Sequence, residues 1–201
     1  MKEGGSLLCG LDEAGRGPLA GPVCAAAVIL PSGFPVSILN DSKKLKAAER
    51  ERARLAICES DAEWGIGWAS AAEIDKINIH KASLLAMKRA FEAMVIKGRN
   101  LNIRAIVDGL YVPDINVPCE ALVKADNSVP EVMAASILAK TARDRLMEYY
   151  GIFYPQYGYE KHKGYPTKAH REAILRFGSS PIQRMSFSVK PFVIPPTRFC
   201  R

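Results

Sequence analysis

Apolar positions along the chain fall into short runs closed by glycine, proline or an acid, alternating with longer stretches of helical period. Leu7, Leu8, Cys9 and Leu11 flank Gly10 and are stopped by Gly15, Gly17 and Pro18, which predicts a buried strand leaving the core at Asp12 and Glu13. A second apolar run, Pro22 to Leu30, follows after a tight connection and predicts an antiparallel neighbour. Leu45 to Glu59 carries a partly apolar helical face, and Ala62 to Ala69 alternates as a third strand. Ser70 and Glu73 form a capping-box pattern opening the next helical stretch. From about Ile79 to Lys97 a broad stripe containing Leu84, Met87, Phe91 and Val95 predicts a helix with a core face, closed by Gly98.

The second half repeats the opening pattern. Ile103 to Val107 is a strand ending at Asp108-Gly109, and Cys119 to Val123 is another, with Asp126 just beyond it. Ser128 and Glu131, with Pro130 between them, suggest a second capping box and a helix running to about Tyr150. Ser136, Lys140 and Arg143 share one face of it, and Asp144 lies four residues beyond Lys140. A polar Gly/Pro loop containing Tyr165 leads to a last helix, Thr167 to Phe177, and an irregular, proline-rich tail is expected from Ser179. The order of elements predicts an α/β domain with a mixed sheet.

Composition narrows the function classes. The 201 residues suffice for one domain with a substantial core. The longest apolar run, Val23 to Leu30, is too short to span a bilayer, and the opening residues lack signal-peptide character, so no membrane association and a cytoplasmic location are expected. The five cysteines form no CxxC pair and the three histidines lack ligand spacing relative to them, which disfavours zinc and predicts reduced thiols. Twenty-eight Lys and Arg against 21 Asp and Glu give a net charge of +7, which favours a polyanionic partner.

Against that basic background the acids at strand ends stand out. Carboxylates close to a core are costly unless a counter-charge meets them, and hard divalent cations such as Mg²⁺ or Mn²⁺ take oxygen ligands. If the strands of Asp12 and Asp108 are neighbours pointing the same way, with Asp126 beside them, Asp12, Glu13, Asp108 and Asp126 converge on one pocket. Such a set can hold two divalent ions about 3.5 to 4 Å apart, the arrangement for in-line displacement at phosphorus. Gly15-Arg16-Gly17-Pro-Leu-Ala20 formally matches a dinucleotide fingerprint, but Pro18, Gly21 and Pro22 interrupt the required helix and the neighbouring acids would repel a pyrophosphate. Two other readings remain open on the residues alone: a non-catalytic nucleic-acid-binding protein, and a related nuclease such as a junction resolvase.

The motifs DEAGRG at Asp12 to Gly17, NDSKKL at Asn40 to Leu45, VDG at Val107 to Gly109, KAD at Lys124 to Asp126, AASILAKTARD at Ala134 to Asp144 and HKGYPTKAH at His162 to His170 together resemble type 2 ribonuclease H, ribonuclease HII, in its bacterial form. The resemblance runs in order from about Leu7 to Phe192. It implies a ribonuclease H-like fold, a mixed five-stranded sheet flanked by helices, with a helical C-terminal part from about residue 150 and an irregular tail at 193–201. It also implies endonucleolytic cleavage of the RNA strand of RNA/DNA hybrids and of single ribonucleotides in duplex DNA, leaving 5′-phosphate and 3′-hydroxyl ends. By matching positions, the resemblance implies that Asp12, Glu13, Asp108 and Asp126 are the metal-binding catalytic acids. The resemblance further implies that Gly15, Arg16 and Gly17 read the ribose 2′-hydroxyl, that Tyr165 stacks on the following deoxyribose, and that Ser42, Lys43, Ser136 and Lys140 contact phosphates. A monomer is expected.

Overall fold

The structure is a computed structural model that describes residues 6–40, 42, 44–95 and 102–188. Five strands, β1 (Leu7–Ala14), β2 (Val23–Ile29), β3 (Glu63–Ala69), β4 (Ile103–Asp108) and β5 (Cys119–Leu122), form one sheet in the order β3-β2-β1-β4-β5. β1 pairs antiparallel with β2, as β2 does with β3, whereas β4 runs parallel to both β1 and β5. The helices are α1 (Ala47–Glu59), α2 (Ala71–Val95), α3 (Pro130–Phe153), α4 (Tyr159–His162) and α5 (Lys168–Phe177).

The sheet is covered on both faces, which is why β2 reads as an unbroken apolar run and is buried along its whole length. Val23, Ala25, Ala27 and Ile29 join Leu11, Val107 and the α2 residues Met87 and Phe91 in one core. Cys24, Ala26 and Val28 join Ile57 of α1 and Ile137 and Leu138 of α3 in the other. Gly10 sets the spacing on that second face. A Cβ there would lie 2.2 Å from the carbonyl carbon of Glu131 and 2.3 Å from the amide nitrogen of Val132. Only glycine lets the first turn of α3 rest directly on the backbone of β1, and that contact brings Ser136 over the end of the strand.

Several expectations are corrected. Asp12 and Glu13 do not lie beyond β1 but within it, because pairing with β2 continues through Asp12↔Ala26, Glu13↔Ala25 and Ala14↔Cys24. The pairing overrides the low strand preference of the acids. The Ser70–Glu73 box forms as expected, with the Ser70 amide donating to Glu73 at 2.8 Å and the Glu73 amide to the Ser70 hydroxyl at 3.2 Å. The helix it opens breaks at Asn78, whose φ of 68° is left-handed and whose side chain accepts from the Lys81 amide, restarting the helix near Ile79. The box expected at Ser128 does not form. The Ser128 and Val129 amides both donate to the Ala125 carbonyl, so the chain turns directly into α3 and Val129 becomes its cap.

The loop before α5 is also more structured than its polarity suggests. It contains α4, and Tyr159 is fully buried beside Tyr157, their rings stacked at 5.5 Å. Of the segment after Ser179, the described residues 180–188 are irregular and lie against the domain: Ser180, Gln183 and Arg184 are buried, and Gln183 bridges to Ala20. The expected helix end at Lys97 and Gly98, the phosphate contact Lys43 and the tail at 193–201 lie outside the described residues.

Candidate active site

The sheet topology brings the acids together. Leu11 of β1 is in register with Val107 of the parallel β4, so Asp12 and Asp108 follow side by side. β5 pairs with the other edge of β4, and the single 3₁₀ turn after it, Ala125–Asn127, carries Asp126 back toward both. Asp12, Asp108 and Asp126 each present an oxygen within 4.8 Å of the other two. Each carboxylate is also held by a local donor. Asp12 accepts from the Glu13 amide at 2.7 Å, Asp108 from the Ala125 amide at 2.9 Å, and Asp126 from the Asn127 side chain at 2.7 Å.

Glu13 stands apart from this trio because successive strand residues face opposite sides of the sheet. Asp12 lies on the α3 side, where it bonds to Ser136, whereas Glu13 lines a hollow of about 140 Å³ with Asp108, Arg16 and the α2 residues His80, Ser83 and Met87. Arg16 pairs with Glu13 at 3.2 Å. Asp108 borders both the trio and the hollow.

Burial, followed by the charges of Glu13 and Asp108, pushes the Asp12 carboxyl well above the usual carboxylate range. A divalent cation would relieve that cost. Three carboxylates offering only hard oxygen donors fit an ion of the Mg²⁺ or Mn²⁺ type and not a soft metal.

Beside the acids lies the turn after β1. Gly15 has φ +99°, and a Cβ on it would fall 2.0 Å from Nε of Arg143, so the turn requires glycine on both counts. Gly17 is exposed, and a Cβ there would meet only the Tyr165 ring, at 3.7 Å. Tyr165 is thus brought against the turn from a distant part of the chain. Its amide donates to the His162 carbonyl at 2.9 Å, and its own carbonyl accepts from Nδ1 of His170 at 3.0 Å. The two imidazoles stack at 4.5 Å. Burial lowers His170 to about 4, so near neutral pH it holds the tyrosine backbone as an uncharged ring.

Of the expected phosphate contacts, Ser42 and Ser136 meet, their hydroxyls 2.7 Å apart and nearly buried. Lys140 pairs with Asp144 at 2.8 Å and lies 5.9 Å from the centroid of the Tyr165 ring. Arg143, on the same helix face as Ser136 and Lys140, is turned inward, being only 1% exposed and donating to the carbonyls of Pro22, Lys163 and Ala20. Its helical neighbours carry no sign of that inward turn, and no local pattern marks Arg184, which lies in the irregular segment after Ser179 and is also buried.

The family model described as Ribonuclease HII matches residues 9–190. The chain is 58% identical over 196 residues to the ribonuclease HII of Treponema denticola, covering 92% of this chain and 99% of that protein. The RNase HII chain of the PCNA:RNase HII complex from Archaeoglobus fulgidus superposes with a TM-score of 0.72 at 24% identity, over 94% of this chain and 98% of that one. Bst-RNase HIII in complex with Mn²⁺ shares the fold at a TM-score of 0.73 and 20% identity, over 94% of this chain and 69% of that one. The acid cluster and these likenesses agree: the chain belongs to the ribonuclease HII family, the type 2 ribonucleases H, and is a divalent-metal-dependent endoribonuclease that acts on the RNA of RNA/DNA hybrids.

Proposed function

We propose that the chain also incises duplex DNA at single embedded ribonucleotides, with Asp12, Glu13, Asp108 and Asp126 holding Mg²⁺ or Mn²⁺ and the products carrying 5′-phosphate and 3′-hydroxyl ends. The observation that carries this reading is the convergence of three carboxylates within 4.8 Å beside a glycine turn faced by an aromatic ring. When bound, the divalent ions supply an activated water and charge stabilisation at the departing oxygen. The chain's own residues do the rest. Asp12, Asp108 and Asp126 hold their oxygens at one point through the local donors that fix them, and Glu13 adds a carboxylate from the hollow that Asp108 also borders.

Gly15, Arg16 and Gly17 read the ribose 2′-hydroxyl, the group that distinguishes RNA from DNA, since glycine lets backbone donors approach closely. Tyr165 stacks on the following sugar and disfavours a further 2′-hydroxyl there. Ser42, Lys43, Ser136 and Lys140 contact backbone phosphates, with the net charge of +7 supporting a polyanionic substrate. The catalytic domain spans 1–192, its helical part beginning near residue 150, and 193–201 form a tail; the burial of Arg184 supports including the segment up to 188. The enzyme works as a cytoplasmic monomer, a reading compatible with the lack, among the described residues, of any helix long and apolar enough to cross a membrane.

A labelled duplex with one ribonucleotide, incubated with and without Mg²⁺ or Mn²⁺, tests the reading. Metal-dependent incision at the ribonucleotide is expected. Binding without incision would favour a non-catalytic protein, and incision only of branched DNA a junction resolvase.

A further inference from the structure

Arg184 is fully buried, yet its guanidinium is surrounded by backbone carbonyls of a single short loop. Nη2 donates to the Gly15 carbonyl at 2.6 Å and to that of Pro22 at 3.2 Å, Nη1 to Arg16 at 2.9 Å and Nε to Gly21 at 2.8 Å. Its own amide donates to the Leu19 carbonyl at 2.9 Å. Burial, followed by the nearby Arg143 charge, lowers it to about 9, so the loop carbonyls hold a costly cation. The segment bearing it is anchored from α2: Asp75 accepts from the Met185 amide at 2.9 Å and from the Ser186 amide and hydroxyl at 2.8 and 2.6 Å.

The consequence follows from the trans peptide bond, in which C=O and N–H point in opposite directions. No peptide bond of the described residues is cis. Pulling the Gly15 and Arg16 carbonyls inward onto one guanidinium turns the N–H groups of Arg16 and Gly17 outward. Among the described residues neither N–H has a protein acceptor, and both residues are exposed beside Tyr165.

We propose that Arg184 is a positioning residue for ribonucleotide recognition: it fixes the two peptide planes whose N–H groups the Gly15-Arg16-Gly17 turn offers to the 2′-hydroxyl. This rests on the ribose-reading role given to that turn above. Because a planar, five-donor group grips both carbonyls at once, it holds the spacing of the two donors as well as their direction.

The test compares binding of an all-DNA duplex with that of the same duplex bearing one ribonucleotide, in EDTA so that neither is cut. The readout is the ratio of the two Kd values for the full chain and its variants, with thermal melting recorded alongside. In Arg184→Met the ratio falls about tenfold or more while all-DNA affinity is retained, since misplacing a recognition group by an ångström costs up to a hundredfold. In Arg184→Lys, which serves fewer carbonyls, the ratio falls less. A purely structural arginine lowers the melting temperature and leaves the ratio unchanged, and that result overturns the proposal. Should Arg184→Met not fold, Arg184→Lys decides by the same criterion. Gly17→Ala separates the two levels, because its methyl has room in the protein but stands where the ribose must approach. An unchanged ratio in Gly17→Ala overturns the reading of the turn and the proposal with it. A fall in Gly17→Ala without one in the Arg184 variants overturns the role of Arg184 alone.

Discussion

Replacing Asp12 by asparagine is expected to reduce cleavage of hybrids and of ribonucleotide-containing duplexes on the order of a thousandfold or more, with duplex binding spared. Asn preserves the shape of the side chain and its acceptor for the Glu13 amide, so the end of β1 remains in place. What it removes is the negative charge at the centre of the cluster, 6% exposed and flanked by Glu13 and Asp108. That charge is unfavourable in the protein by itself, because burial and then its like-charged neighbours oppose it. The variant should therefore melt at a higher temperature than the parent in EDTA while being inactive with metal. Such opposition between stability and activity is expected where a site concentrates charge for a ligand. Measured single-turnover rates and melting curves check both halves; full activity would contradict the assignment.

The second large effect is expected at Tyr165. Alanine there should slow incision at a single embedded ribonucleotide by roughly tenfold to a hundredfold, the equivalent of about 1–3 kcal/mol for one aromatic stack on a nucleic acid. The ring is 40% exposed, and its edge borders the position a Gly17 side chain would occupy, so it can meet a sugar without moving. Its backbone is fixed on both sides by the His162 and His170 pair, which leaves the fold of the loop intact when the ring is removed. Phenylalanine should retain most of the rate, since stacking needs the ring and not the hydroxyl. An alanine variant with the parent rate on that substrate would remove Tyr165 from recognition.

The sheet was legible in the sequence because its strands are short apolar runs with clear punctuation, whereas the adjacency of Asp12 and Asp108 was a condition that only the parallel pairing of β1 with β4 meets. Where the reading slipped, non-local pairing was responsible. Asp12 and Glu13 look like a turn, but β2 holds them in register as strand, and this alternation sends Glu13 to the opposite face from the three converging acids. Ser128 and Glu131 have capping-box spacing, yet the preceding 3₁₀ turn takes the Ser128 amide first. Arg143 and Arg184 carry no local sign of burial, since charged residues are normally exposed, and apart from Lys163, 20 residues from Arg143, the carbonyls they bond are more than a hundred residues away in sequence. Apart from the placement of Glu13, these differences concern the support of the site and not its chemical groups.

The central claim is that Asp12, Asp108 and Asp126, from separate parts of the chain, form one divalent-cation site. Calorimetric titration of Mn²⁺ into the full chain and into Asp126→Asn tests it most directly, since Asp126 comes from the element least constrained by strand pairing. Saturable binding to the parent is expected, with affinity weakened about tenfold or more in the variant, by analogy with the loss of a metal-supporting group. Equal affinity in the two proteins would contradict it.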